Sequence, residues 1–312
     1  MKRMLFTALV ILALITGTSA AGTGNALFIN WRGNTPCDQG LTEGLKELGI
    51  ALNIEQFNAE QDKAKLEAFL TGLDEKKYDF IYTFGTTVSL KSAEKIKNTP
   101  ILFGIVTNPV KSGLVQTWEN SGNNVTGTSH AISMAEQVDF ILSLGKYDKI
   151  GMLFNPKEAN SQITDKDLAD QLKIKGLTYL AYPVETEADI EAALAKADAD
   201  KAALIYLPSD SFISSQTRNI APKLTAKGIP TYGANESMVK DGAMIGIVSS
   251  YYAVGKDLAK KAALILDGKK PAEIPSGILP LTSQTVLVNT TTAEALKAEI
   301  PYAILSSAQF VE

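Results

Sequence analysis

The chain has 312 residues, 45% of them hydrophobic and 21% charged, with a net charge of −4. That is an ordinary globular balance in a chain too long for one core and suited to two domains. The acidic balance argues against nucleic acid, which asks for a basic face. Cys37 is the only cysteine, so no internal disulfide can form.

The first twenty residues read as a secretion signal. Lys2 and Arg3 make a charged start, Met4 to Ile15 is apolar but shorter than a membrane span, and Thr18-Ser19-Ala20 supplies small residues for cleavage near Ala20. No cysteine follows to carry a lipid anchor. The mature protein is therefore expected in the periplasm, and loss of Lys2 and Arg3 takes its net charge from −4 to −6.

Beyond the signal, strands and helices alternate. Strands are predicted at Leu27–Asn30, Leu52–Phe57, Phe80–Tyr82 and Ile101–Val106, with helices at Cys37–Leu48, Ala59–Leu73 and Thr87–Lys97. Asn123–Ser129, rich in Asn, Thr, Gly and Ser, reads as a break. A second set follows: strands at Lys149–Phe154, Leu177–Pro183, Ala203–Leu207, Pro230–Tyr232 and Ala243–Val248. Its helices are Met134–Leu144, Asn160–Lys175, Glu187–Ala197, Ser215–Ala226 and Asn235–Lys240, with a late helix at Tyr251–Leu266. Past Glu273 the pattern weakens, apart from Val286-Leu287-Val288 and a helix near Thr292–Ala298. Strands spaced by helical stretches of this length predict βαβ units and parallel sheets, here in two similar lobes.

The apolar strands end in small polar clusters, where open α/β sheets bind ligands. Trp31-Arg32-Gly33 ends the first strand: the ring can stack on a planar ligand and the guanidinium can fork onto a carboxylate, or the ring can simply cover the rim. Thr86 and Thr87 follow Gly85, and Thr107 precedes Asn108-Pro109; each also suits a cap or turn. Asn155, Asn160 and Ser161 surround a helix start whose free N–H groups suit a carboxylate, and an ordinary capped helix fits them equally. In Pro208-Ser209-Asp210-Ser211, Asp210 can hold a ligand's ammonium group or cap the next helix. With Ser209 and Glu236, these make the expected ligand-binding set.

Catalytic sets are missing from the sequence. His130 is the only histidine and Cys37 the only thiol, too few for a zinc site. There is no G-x-S-x-G elbow and no Walker or dinucleotide glycine fingerprint. Cys37, after Pro36, reads as a small packing residue. The glycosylation triplets at Asn124, Asn235 and Asn289 read as chance matches. No catalytic residue, metal or cofactor is expected.

Several motifs, in order, resemble one family. Thr107-Asn108-Pro109, Gly113-Leu114-Val115 and Asn124-Val125-Thr126-Gly127 are similar to a V-T-D-P-V…G-L-V…N-V-T-G signature. Asn155-Pro156-x-Glu158-Ala159-Asn160-Ser161 is similar to N-P-x-E-x-N-S. Tyr251-Tyr252 with Gly255, Ile265-Leu266-x-Gly268-Lys269-x-Pro271 and Val288-Asn289 resemble its late helix and tail. The family is that of ABC-transporter substrate-binding proteins of the tryptophan/tyrosine-binder type. The resemblance implies a type I periplasmic-binding-protein plan: two Rossmann-like lobes joined by a hinge of three crossings. Lobe 1 is expected over 21–128 with 250–280, and lobe 2 over 129–249 with 281–312; the crossings are expected near Gly127–Ser129, Val248–Ser250 and Leu279–Leu281. It further implies a monomer that closes on a small ligand and delivers it to an ABC permease of the inner membrane. For an aromatic amino acid, the α-carboxylate is expected near Asn160–Ser161 and the α-amino group near Asp210. The chain departs from the pattern at Asn108, where Asp is usual, and at Ile247 and Ser250, where Tyr and Asp are expected.

Two other readings use the same fold. A sensory module would hand its ligand-loaded form to a membrane kinase. A two-lobed amino-acid racemase would need two opposed thiols, and Cys37 stands alone.

Overall fold

The computed structural model describes residues 23–312; the predicted signal segment lies outside the described residues. The first half runs β1 (Thr23–Asn30), α1 (Pro36–Glu47), β2 (Ala51–Asn58), α2 (Lys63–Thr71), β3 (Phe80–Phe84), α3 (Thr86–Lys95), β4 (Ile101–Gly104) and β5 (Val125–Ser129). Next come α4 (Met134–Leu144), β6 (Lys149–Phe154), α5 (Ala159–Ile174), β7 (Thr178–Pro183), α6 (Glu187–Ala199), β8 (Leu204–Leu207), α7 (Ser211–Ala226), β9 (Thr231–Gly233), α8 (Glu236–Lys240) and β10 (Ile245–Ser249). The chain ends with α9 (Tyr251–Leu266), β11 (Gly277–Ile278), β12 (Gln284–Asn289), α10 (Thr290–Ala295), α11 (Tyr302–Leu305) and β13 (Gln309–Val311).

These strands form two sheets. One has the order β11-β5-β4-β3-β1-β2, the other β13-β12-β10-β9-β8-β6-β7. The first is parallel throughout. In the second, only β10 and β12 pair antiparallel. Each sheet repeats the doubly wound order in which the second strand lies outside the first and the third begins the other direction. The chain passes between the sheets three times: from β5 to α4, from β10 to α9, and from β11 to β12.

Both faces of each sheet are covered. Phe28, Tyr82 and Leu102 lie under α1 and α9 on one face of the first sheet, and Leu27, Ile81 and Phe103 face the other layer. The second sheet is sandwiched the same way, by Leu153 and Ile205 on one face and Met152 and Tyr206 on the other. Continuous apolar strands such as Phe80–Phe84, buried at every residue, are what sheets covered on both faces require. Helices α1 and α9 cross at backbone contact: a Cβ on Gly40 would lie 2.1 Å from the Tyr252 carbonyl oxygen, and one on Gly255 2.1 Å from that of Cys37. Cys37 is fully buried in this layer, where loss of solvent pushes its thiol far above the usual range. It is a packing residue.

Four differences from the sequence reading have local causes. Val125–Ser129 of the expected break form the buried strand β5, with the crossing to α4 directly after it, and its polar side chains are answered individually. Thr126 Oγ1 donates to the Ile274 carbonyl and Thr128 Oγ1 to Asp257, both at 2.7 Å. Helix α2 starts at Lys63 rather than Ala59, because Glu60 and Gln61 adopt left-handed φ of 54° and 62° and Asp62 caps the helix. Strand β4 stops at Gly104, where Ile105 turns at φ 58°. Helix α7 begins four residues before the predicted Ser215, at the Asp210 cap.

Candidate functional site

The carboxyl ends of β1, β3 and β4 face those of β6 and β8 across a narrow cleft. Its lining takes Trp31, Arg32, Phe84 and Gly85–Thr87, with Ile105 and Tyr251, from one side and Glu158, Asn160, Ser209 and Ser211 from the other. β1/β3 and β6/β8 are the two points where strand order reverses, so the switch points of both sheets meet here. The space between them is only about 20 Å³, room for little more than one water. Ser209 also lines a larger chamber of about 470 Å³ beside it.

The two sides are held together. Lys111 Nζ donates to both carboxylate oxygens of Asp167 at 2.7 Å, and Lys63 Nζ donates to the Lys157 carbonyl at 2.6 Å. Both contacts join segments attached to different sheets, so this is a closed arrangement.

The helix starts differ in a telling way. Most long helices carry a side-chain cap: Thr35, Asp62, Ser133, Asp210 and Ser250 head α1, α2, α4, α7 and α9, and Thr186 with Asp189 forms a capping box on α6. Among the described helices of eight residues or more, α3 and α5 have none. Both begin in the cleft, from opposite sides. Gly85 precedes α3 at φ 91°, a conformation that suits glycine, and Thr86 and Thr87 of the first turn line the cleft. Uncapped N–H groups at a helix start attract anions.

Charge is placed to match. Arg32 lies with its guanidinium carbon 5.8 Å from the centre of the Phe84 ring. Opposite it, Glu158 is buried, and its two oxygens accept from Ser211 N at 3.1 Å and Phe212 N at 3.2 Å. Burial, and then the Asp210 charge, push the Glu158 carboxyl up to about 7, against the pull of those amides and of Arg32. Trp31 Nε1 is buried here without a hydrogen-bond partner. Ile105, β-branched and at positive φ, is a strained backbone position in the same wall.

Of the residues expected from sequence, Trp31, Arg32, Thr86, Thr87, Asn160 and Ser209 come together in this cleft, and Thr107 joins Ser209 on the chamber. The other four are elsewhere. Asp210 is fully buried and lines neither space. Its carboxylate accepts from Asn155 N at 2.7 Å, from Ile213 N at 2.9 Å and from the Ser161 hydroxyl. Asn155, Ser161 and Asp210 therefore satisfy one another and tie β6, α5 and α7 together; the capping alternative describes Asp210, which is buried away from the space a ligand's ammonium would occupy. Glu236 pairs with Lys240 along α8. The ligand-binding set expected from sequence did not include Glu158, Phe84, Ile105, Tyr251 or His130. Glu158 stood in a quoted motif; its missing signal was burial, which no spacing reveals. Among the described residues no group of three metal-binding side chains occurs, and no helix is long and apolar enough to cross a membrane.

Comparison with known proteins adds to this geometry. A tyrosine-binding protein from Clostridioides difficile is 28% identical over 255 residues, covering 81% of this chain and 73% of the relative. A conserved domain protein from Vibrio cholerae matches at 25% identity with TM-score 0.87, over 93% of this chain and all of that one. An ABC domain from Streptococcus pneumoniae, solved in complex with L-Trp, superposes with TM-score 0.83 at 24% identity, over 92% of this chain and all of that one. The family of substrate-binding proteins is one of binders, not enzymes. The model of the ABC transporter substrate binding protein family matches residues 26–312, and the chain belongs to that family.

Proposed function

We propose that this protein captures an amino acid with an aromatic side chain between its two lobes and delivers it to an ABC permease of the inner membrane, working as a periplasmic monomer after cleavage near Ala20. The observation that carries this reading is the pair of uncapped helix starts facing one another across the cleft, with Arg32 on one side and buried Glu158 on the other. The ligand's carboxylate docks on the amides of Thr86 and Thr87 with Arg32, on the first lobe. That moves it from the Asn160–Ser161 position expected from sequence, since Ser161 is bonded to Asp210. Its ammonium group faces Glu158, where a cation favours the ionised carboxylate. Trp31, Asn160 and Ser209 complete the enclosure and Thr107 stands beside it. The relative that binds tyrosine supports the ligand class.

The narrow cleft alone does not admit an amino acid, so the ligand enters with the lobes parted and is enclosed when they close on it. Lobe 1 is taken as 23–128 with 250–280 and lobe 2 as 129–249 with 281–312, hinged at the three crossings. Closure shortens the molecule, and small-angle scattering with saturating ligand should give a smaller radius of gyration than without.

The direct test is thermal unfolding with a panel of amino acids, followed by calorimetry on any that stabilise. A ligand at about 100 times its Kd adds about 2.7 kcal/mol. Arg32→Gln should weaken that ligand by about 10- to 100-fold, the value of a charge-assisted hydrogen bond. If no aromatic amino acid stabilises the protein, or the scattering radius is unchanged at saturation, the reading fails.

A further inference from the structure

The 470 Å³ chamber beside the narrow cleft lies within the range of ligand pockets. It shares Ser209 with the cleft, and Trp118, Ile132, Met134 and Tyr206 supply apolar surface among polar side chains such as Asn108, Ser133, Asp170 and Gln171. Most of its polar groups are already committed. Gln137 accepts from the Tyr206 hydroxyl at 2.8 Å and donates to the Ile132 carbonyl at 2.9 Å. Thr164 donates to the Asn160 carbonyl at 2.9 Å, and Lys111 and Asp167 hold each other at the rim.

His130 is different. It lines the chamber at 7% exposure, and its Nδ1 is buried without a hydrogen-bond partner. Burial, and then the Arg32 charge, lower its imidazole to about 4. The ring is therefore neutral near pH 7, with one nitrogen a donor and the other an acceptor. Its ring meets that of Tyr251 edge to face, centroids 5.5 Å apart, and Tyr251 lines the cleft. With the lobes parted to admit it, a ligand whose charged head sits at the cleft carries its side chain past Ser209 and Tyr251 toward the His130 ring.

We propose that this chamber is the subsite for the ligand's side chain, and that His130 is the specificity-determining residue, bonding a hydroxyl or ring N–H carried by an aromatic ring. This rests on the reading given under Proposed function. The selection is physical: a ligand with that group answers the imidazole, whereas an isosteric ring without it leaves the imidazole unpaired.

His130 is the chain's only histidine, so in untagged protein labelled with ¹⁵N-histidine every imidazole signal reports on it. Tyrosine, tryptophan and phenylalanine are titrated by calorimetry and by these ring-nitrogen resonances. The tighter of tyrosine and tryptophan is expected to bind about tenfold or more tightly than phenylalanine and to shift the ring nitrogens in a way phenylalanine does not. His130→Phe, which keeps a ring against Tyr251, should bring that preference to within about threefold. Equal ring-nitrogen shifts from all three ligands, or an unchanged preference in His130→Phe, overturns the subsite. If His130→Phe does not fold, the resonance comparison in the wild type decides. If none of the three binds, the reading under Proposed function falls and takes this one with it; if they bind and His130 does not discriminate, only this one falls.

Discussion

Helices α3 and α7 occupy equivalent places, each following the third strand of its sheet, yet their first turns are treated in opposite ways. At α7, Asp210 answers the Ile213 amide, and Glu158 answers those of Ser211 and Phe212. Two carboxylates of the protein fill the place an anion would take. At α3, Gly85 stands at the cap position with no side-chain cap, and Thr86 and Thr87 line the cleft. The lesson is that a carboxylate at a strand end can belong to the scaffold, whereas the absence of one, at a helix start facing a cleft, is the better pointer to a ligand's own carboxylate.

The largest effect should come from breaking the filled site. Asp210→Ala strands two buried donors and the half-buried Asn155 amide and removes a cap, and is expected to cost roughly 3 kcal/mol of folding stability. Urea unfolding checks this. A variant as stable as wild type, with only ligand binding impaired, would return Asp210 to the ligand.

Filling the open site should do the reverse. Thr87→Asp puts a carboxylate in the first turn of α3, which the dipole favours by about 0.5 kcal/mol. It should nevertheless weaken a carboxylate-bearing ligand by about 10-fold or more through repulsion and occupancy of the amides. Wild-type affinity in calorimetry would mean that the ligand's carboxylate sits elsewhere.

A third comparison sets Glu158 against His130 through pH. The folded Glu158 holds its proton up to about 7, against an ordinary value of 4.5, so its contribution to stability is present at low pH and lost as pH rises from about 4.5 to 7. His130 is lowered from 6.5 to about 4, so its contribution is lost as pH falls through the same interval. The two oppose each other, and the ligand-free wild type should vary little between pH 4.5 and 6.5. Glu158→Gln removes one side. Its stability should rise with pH over that interval by about 1–3 kcal/mol relative to the wild-type curve. Parallel denaturation curves for the two proteins would show that Glu158 titrates normally.

The smallest effect belongs to the rim. Lys111 and Asp167 are partly exposed, with side-chain exposures of 54% and 25%, and such a pair contributes at most about 1 kcal/mol. Lys111→Ala should weaken ligand by less than about fivefold and reduce the loss of affinity between low and high salt. An equal salt dependence in both proteins would mean that this pair does not favour closure.

The chain's own pattern was enough for the architecture. Alternating apolar runs and amphipathic helices can be buried only as helices on both faces of parallel sheets, and polar clusters at strand ends mark where such sheets bind. Trp31, Arg32, Thr86 and Thr87 were legible for that reason: each follows directly on a strand. Strand β5 was not legible, because Thr126 and Thr128 are buried by virtue of partners 148 and 129 residues away. Only the tertiary structure could separate Asp210 from Glu158. Both are acidic residues at polar strand ends, and their roles differ by which donors reach them: Asn155 and Ser161 close around Asp210, while Glu158 reaches over α7 and still lines the cleft. Local sequence sets where a strand ends and a helix begins. Which of those ends is already satisfied depends on hydrogen bonds between segments distant in the chain.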